Sequence, residues 1–248
     1  MKVTFPHMGN MYIALQALLT GLQLEYVTPP LITKKTLELG VKYAPEYVCM
    51  PMKINLGNFI EALELGADTI VMGGGWGPCR FGYYAQIERD ILQELGYDFQ
   101  MIVLESQDSK ATSLFRQLKA LGQNVSLRQA LHSVKFAWDK MTAVEQVEKG
   151  LEYYLPRASQ PDAAEKIYVQ GLNEIITAAS GRQSLQIARQ TIARMQSMEL
   201  QAGDPLVIGL VGEVYTVLEP AANYEIIQGL GRLGAEVRRT IYMTDWVN

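Results

Sequence analysis

From residue 1 to about 105 the chain alternates short apolar runs with amphipathic stretches. That alternation restricts the segment to a parallel sheet with crossover helices, so the expected class is α/β. Strands are predicted near Lys2–Phe5, Gln23–Val27, Glu46–Cys49, Thr69–Met72 and Gln100–Leu104. Helices are predicted near Met11–Thr20, Thr33–Gly40, Ile54–Leu65 and Tyr83–Leu95, with Gly66 and Gly96 as the C-caps of two of them. Loops that leave the carboxyl ends of parallel strands share one edge of the sheet, where ligands of open α/β folds collect. Three loops are expected there: Pro6-His7-Met8-Gly9-Asn10, Cys49-Met50-Pro51-Met52-Lys53, and the glycine-rich Gly73–Gly82 loop carrying Cys79 and Arg80.

Beyond Ser109 the pattern becomes long helical periodicity, through Leu114, Leu118 and Leu121, then Val134, Phe136, Trp138, Met141, Val144 and Val147. It continues to about Leu200, with one break between Pro156 and Pro161. These apolar positions read as core, and His132 as a surface or satisfied histidine rather than a ligand. At Asp204 the α/β pattern returns, with strands over Leu206–Val211 and Glu236–Met243 flanking a helix over Tyr224–Leu233. Two strands and a helix bury too little to stand alone, so this part reads as the start of a second α/β lobe that looks truncated or is completed by a partner. The expected organisation is an α/β lobe over 1–108, a helical region over 109–203 and a partial lobe over 204–248.

A net charge of −4 without a dense Lys/Arg cluster argues against nucleic acid as a partner. The N-terminal residues lack the apolar run of a signal peptide, and no stretch approaches the roughly 18 apolar residues of a membrane helix. A cytoplasmic protein without a membrane partner is expected. Two cysteines among 248 residues are no disulfide framework. Both, Cys49 and Cys79, fall where a strand is predicted to meet a helix, and a helix N-terminus favours the thiolate for metal ligation or nucleophilic attack.

Several chemistries stay open on the residues alone. The Gly73–Gly77 loop suggests phosphate binding, yet Arg80 stands where the last glycine of a Gly-x-Gly-x-x-Gly pattern belongs, and no Gly-Lys-Ser/Thr follows. Zinc would need more than two distant cysteines, with His7 as a possible third ligand. An iron–sulfur cluster would need thiolates from outside this set.

The motifs Phe5-Pro6-His7-Met8-Gly9-Asn10, Cys49-x-Pro51-x-Lys53-x-x-x-Gly57-Asn58, Gly66-Ala67-Asp68-Thr69 and Gly77-Pro78-Cys79-Arg80-Phe81-Gly82-Tyr83-Tyr84 resemble the acyl-CoA dehydratase activase-related proteins. These are relatives of the 2-hydroxyglutaryl-CoA dehydratase D-component and the double-cubane cluster proteins. Val211-Gly212-Glu213-Val214-Tyr215, with Glu219-Pro220 and Asn223, resembles the opening of that family's later α/β domain. The resemblance implies two α/β lobes around a [4Fe-4S]-type cluster, with Cys49 and Cys79 as ligands. It also implies electron transfer at low potential, of the kind used in anaerobic metabolism, from an ATP-dependent activator or electron donor, for dehydration or reduction of an acyl-CoA-type substrate. Relatives generally carry at least one more cysteine, so the cluster of the full-length protein could be absent from this chain.

His7, Asn10, Lys53, Arg80, Glu213 and Tyr215 are candidate substrate-binding or ligand-orienting residues. Lys53 or Arg80 would tune cluster charge or hold an anionic substrate. Two alternatives are carried alongside: a partner-binding or scaffold module that forms a homo-oligomer through the Leu206–Met243 edge, and a nucleotide-binding protein using Gly73–Gly77.

Overall fold

The structure is a computed structural model that describes residues 1–74, 81–104, 111–122 and 125–247. It is mixed α/β, with a parallel sheet at the N-terminus and a helical middle region. The chain divides into two compact units, one of residues 1–7 and 16–134 and the other of residues 8–15 and 135–248.

The first unit contains β1 (Lys2–Thr4), β2 (Glu25–Tyr26), β3 (Thr69–Gly73) and β4 (Gln100–Leu104), all parallel, in the order β2-β1-β3-β4. Val3 pairs with both Tyr26 and Thr69, and Ile70 with Met101. Strand β3 is apolar on both faces, as a covered parallel strand must be, and Thr69–Met72 are all buried. Helix α1 (Met11–Gly21) follows β1, α2 (Lys34–Tyr43) and α3 (Met50–Glu64) cross from β2 to β3, and α4 (Phe81–Glu94) crosses from β3 to β4. Leu56, Phe59, Ile70, Met72 and Leu92 are fully buried at the centre of the core. Gly66 and Gly96 follow their helices at φ 90° and 88°, as expected of C-terminal caps.

One expected strand is not there. Residues Glu46–Cys49 form the turn of a helical hairpin between α2 and α3, with Val48 N–H donating to Pro45 O at 3.3 Å. Close packing of the two helices takes the place of a strand: a Cβ on Gly40 would stand 1.8 Å from Lys53 O, and one on Gly57 2.0 Å from Thr36 O. Only glycine permits that approach, and six residues between the helices leave no length for a strand.

Helix α5 (Ala111–Leu121) follows β4, and the boundary between the units falls within α1 and within α6 (Leu127–Tyr154). In the second unit, the later turns of α6 join a 3-10 turn (Leu155–Arg157), α7 (Pro161–Thr177) and α8 (Gly181–Gln196) around Val144, Val147, Ile175, Ala188 and Met195. Next come β5 (Leu206–Leu210), α9 (Val214–Leu218), α10 (Ile226–Arg232), β6 (Ala235–Arg239) and α11 (Met243–Val247). Strands β5 and β6 form their own two-stranded parallel sheet. The second strand is shorter than predicted: it ends at Arg239, and Met243 begins a helix. Among the described residues no helix is long and apolar enough to cross a membrane.

Candidate functional site

The order β2-β1-β3-β4 has its switch point between β1 and β3, and ligands of open α/β sheets bind at the carboxyl ends of the strands at such a point. A helix leading into a parallel strand runs from the carboxyl edge to the amino edge. The N-termini of α3 and α4 therefore lie on the ligand edge, as does the loop carrying His7, which leaves β1 there and is buried.

Cys49 is the N-cap of α3, in extended conformation, and its side chain makes no capping hydrogen bond. Thr33, which caps α2, spends its hydroxyl on the Thr36 N–H. The Cys49 sulfur is instead turned to α4, where it meets the Tyr84 hydroxyl. Tyr84 is buried, whereas Tyr83 beside it is 73% exposed. Val48, Cys49, Met52, Tyr83, Tyr84 and Ile87 line a cavity of about 220 Å³ between the two helix starts.

One turn beyond Tyr84 lies Glu88, with no surface exposed and no hydrogen-bond partner for either carboxyl oxygen among the described residues. Burial, and then the negative charge of Cys49, hold its carboxyl well above the usual carboxylate range. Asn55 on α3 is also fully buried with its amide oxygen and nitrogen both unpartnered among the described residues. Sequence reasoning missed Tyr84 and Glu88 as site residues. The signal for Glu88 was present, because Tyr84, Glu88 and Leu92 recur every four residues and place an acid on the buried stripe of α4.

The remaining candidates separate. Lys53 shares α3 with Cys49, but its ammonium donates to Glu46 O at 3.1 Å and braces the hairpin turn. Cys79, Arg80 and Gly75–Gly77 lie outside the described residues. Gly73 ends β3, and Gly74 N–H donates to Leu104 O at 3.1 Å.

Asn10, Glu213 and Tyr215 belong to the second unit, where they have structural roles. Asn10 Nδ2 donates to Glu148 Oε1 at 2.7 Å and to Tyr168 Oη at 2.8 Å. Gly9 N–H donates to Glu219 Oε2 at 2.6 Å, with φ 49° and a position where a Cβ would stand 2.5 Å from Leu218 O. The Gly9-Asn10 and Glu219-Pro220 motifs are therefore two halves of one latch. Glu213 caps α9, accepting from Tyr215 N–H and Thr216 N–H at 3.0 Å each, and Tyr215 is buried.

A second polar cluster surrounds Arg239, whose Nη2 donates to Glu148 at 2.8 Å and whose Nε donates to Glu152 at 2.7 Å. Tyr242 Oη donates to the other oxygen of Glu152 at 2.5 Å. Burial opposes the Arg239 charge, but Glu148 and Glu152 more than offset it and hold the guanidinium protonated. Burial also raises Glu152, an effect Arg239 counters in part. The cluster is internally satisfied, which suits a strut.

Among the described residues no group of three or more His, Cys, Asp or Glu side chains could hold a metal ion. The Cys49 sulfur, uncommitted at a helix start and facing a hydroxyl, suits one sulfur ligand of a metal group whose other ligands come from elsewhere. No family model matches the chain, and no curated protein matches it in sequence.

Proposed function

We propose that the chain is an iron–sulfur component of the 2-hydroxyacyl-CoA dehydratase type, handling low-potential electrons for dehydration or reduction of an activated acyl substrate. The observation that carries this reading is the Cys49 sulfur, left free of capping duty at the α3 N-terminus and set against Tyr84 on the ligand edge of a parallel sheet. The motif resemblance supplies the identity of the group, the role of Cys79 as a further ligand, and an ATP-dependent activator or electron donor as partner. A bound [4Fe-4S] cluster would supply one-electron chemistry and, at an open iron, a Lewis-acid position. The chain's own part is to present the Cys49 thiolate at the positive end of α3. Met52, Ile87 and Val48 lower the dielectric on one side of it.

Protein made and purified without oxygen tests the proposal, by iron and acid-labile sulfide content and visible absorption. Stoichiometric iron and sulfide, lost in Cys49→Ser, are expected; no iron in the parent after anaerobic reconstitution overturns the reading.

A second reading is favoured by β5. Leu206 and Val207 are 71% and 47% exposed, and Val211 just beyond is 78% exposed, in a parallel sheet of a kind that is ordinarily covered. It makes the chain a partner-binding module in which a second copy pairs along β5, a strand with no charge to repel its own copy. On that reading the protein holds no iron and sediments as a dimer.

A further inference from the structure

We infer that Tyr84 is a positioning residue that donates its hydroxyl hydrogen to the Cys49 sulfur, and that this bond sets the electron density of whatever the sulfur holds. Tyr84 sits in the first turn of α4 with its ring buried and its hydroxyl against Sγ, so the contact is fixed by both helices. Where the sulfur is a thiolate or metal-bound it only accepts hydrogen bonds, and the bond then runs from oxygen to sulfur.

Glu88 is the independent sign that this corner is built for a ligand. It is a fully buried carboxyl one turn beyond Tyr84 on the same helix, with neither oxygen partnered among the described residues. A buried polar group of that kind marks a site completed by something else. Tyr84 supplies the hydroxyl in contact with the sulfur.

The hydrogen bond stands whether or not iron binds; its consequence for a reduction potential rests on the iron–sulfur reading. Two measurements separate them. In iron-free protein at pH 7, the alkylation rate of Cys49, followed by mass spectrometry of its own peptide, should be about three- to tenfold slower in Tyr84→Phe. That range reflects the loss of one hydrogen bond to a charged acceptor, halved in the logarithm because a more basic thiolate is also a better nucleophile. An unchanged or faster rate overturns the inference. In reconstituted protein, the midpoint potential of Tyr84→Phe should fall below that of the parent, since a donor to a ligating sulfur eases reduction. An unchanged potential in protein that holds its cluster also overturns it.

If alkylation slows and no cluster forms, the inference stands and the iron–sulfur reading falls. Should Tyr84→Phe fail to fold, fluorotyrosine placed at position 84 alone decides. It keeps the shape, donates more strongly, and should shift alkylation in the opposite sense; no change overturns the inference.

Discussion

Two buried polar clusters, one in each unit, contrast sharply in how their hydrogen bonds are met. Around Arg239 every charged group has a partner of opposite sign or a hydroxyl: Glu148 and Glu152 share the guanidinium, Tyr242 takes the remaining Glu152 oxygen, and Asn10 joins Glu148 to Tyr168. Around Cys49 the balance is open, since Glu88, one turn beyond Tyr84, is fully buried with no partner for either oxygen among the described residues. A closed network ties elements together and leaves nothing for a ligand to gain. An open one leaves buried donors and acceptors at a standing cost of roughly 1–3 kcal/mol each, which a bound group can recover. Polarity in a core thus points to function where it is unsatisfied.

The largest effect should come from breaking the closed cluster. Arg239→Met removes the one cation between Glu148 and Glu152 and leaves two carboxylates facing each other in a buried place. A loss of about 3–5 kcal/mol is expected, read from the midpoint of urea unfolding at pH 7. A loss below 1 kcal/mol would show that water replaces the guanidinium, and the cluster would no longer count as closed.

The same contrast explains what was legible in the sequence. Strands β1, β3 and β4 were visible because Val3-Thr4, Ile70-Val71-Met72 and Met101-Ile102-Val103-Leu104 are compact apolar runs followed or preceded by helical periodicity. The pair Val48-Cys49 imitated such a run. What decides against a strand there is the contact of Gly40 with Lys53 and of Gly57 with Thr36, a long-range fit that no local pattern carries. The two-unit division was equally hidden, because residues 8–15 join the second unit through Gly9 and Asn10, whose partners Glu219 and Glu148 lie more than 130 residues away. Read locally, Asn10 and Glu213 looked like site residues; their partners show a latch and a helix cap. Cys49 was picked for its helix start, and the structure keeps that helix while removing the strand before it.

The open cluster should answer to pH in a way the closed one does not. Glu88 has its folded carboxyl raised well above its unfolded value, by burial first and Cys49 second. Its contribution to stability is therefore complete below the unfolded carboxylate range near pH 4.3 and is lost as pH climbs toward the folded value. Glu88→Gln stays neutral in both states. Measured by urea unfolding of iron-free protein from pH 4 to pH 8, the variant should gain on the parent by up to about 1.4 kcal/mol per pH unit over that window. Taking the difference between the two proteins cancels Glu145 and Glu152, which burial also raises. Parallel curves would mean that Glu88 ionises in the fold with a partner, and the cluster would then belong with the closed class.

The smallest effect separates a cap from a ligand-binding acid. Glu213 accepts two backbone N–H bonds at the start of α9 and a third bond from the Thr216 hydroxyl at 3.2 Å, while remaining exposed. Glu213→Ala should cost about 0.5–1 kcal/mol, at the low end of measured N-cap losses because a helix of five residues has little to lose. Glu213→Asp keeps a carboxylate at the same N-cap and should recover most of it. The contrast with Cys49 is one of commitment: both residues occupy an N-cap, and only Glu213 uses its side chain there. On the iron–sulfur reading, iron content should therefore be unmoved by Glu213→Ala and abolished by Cys49→Ser. Loss of iron in Glu213→Ala, in protein that still shows the parent's unfolding midpoint to within 1 kcal/mol, would make the cap a ligand and place Glu213 with the open cluster.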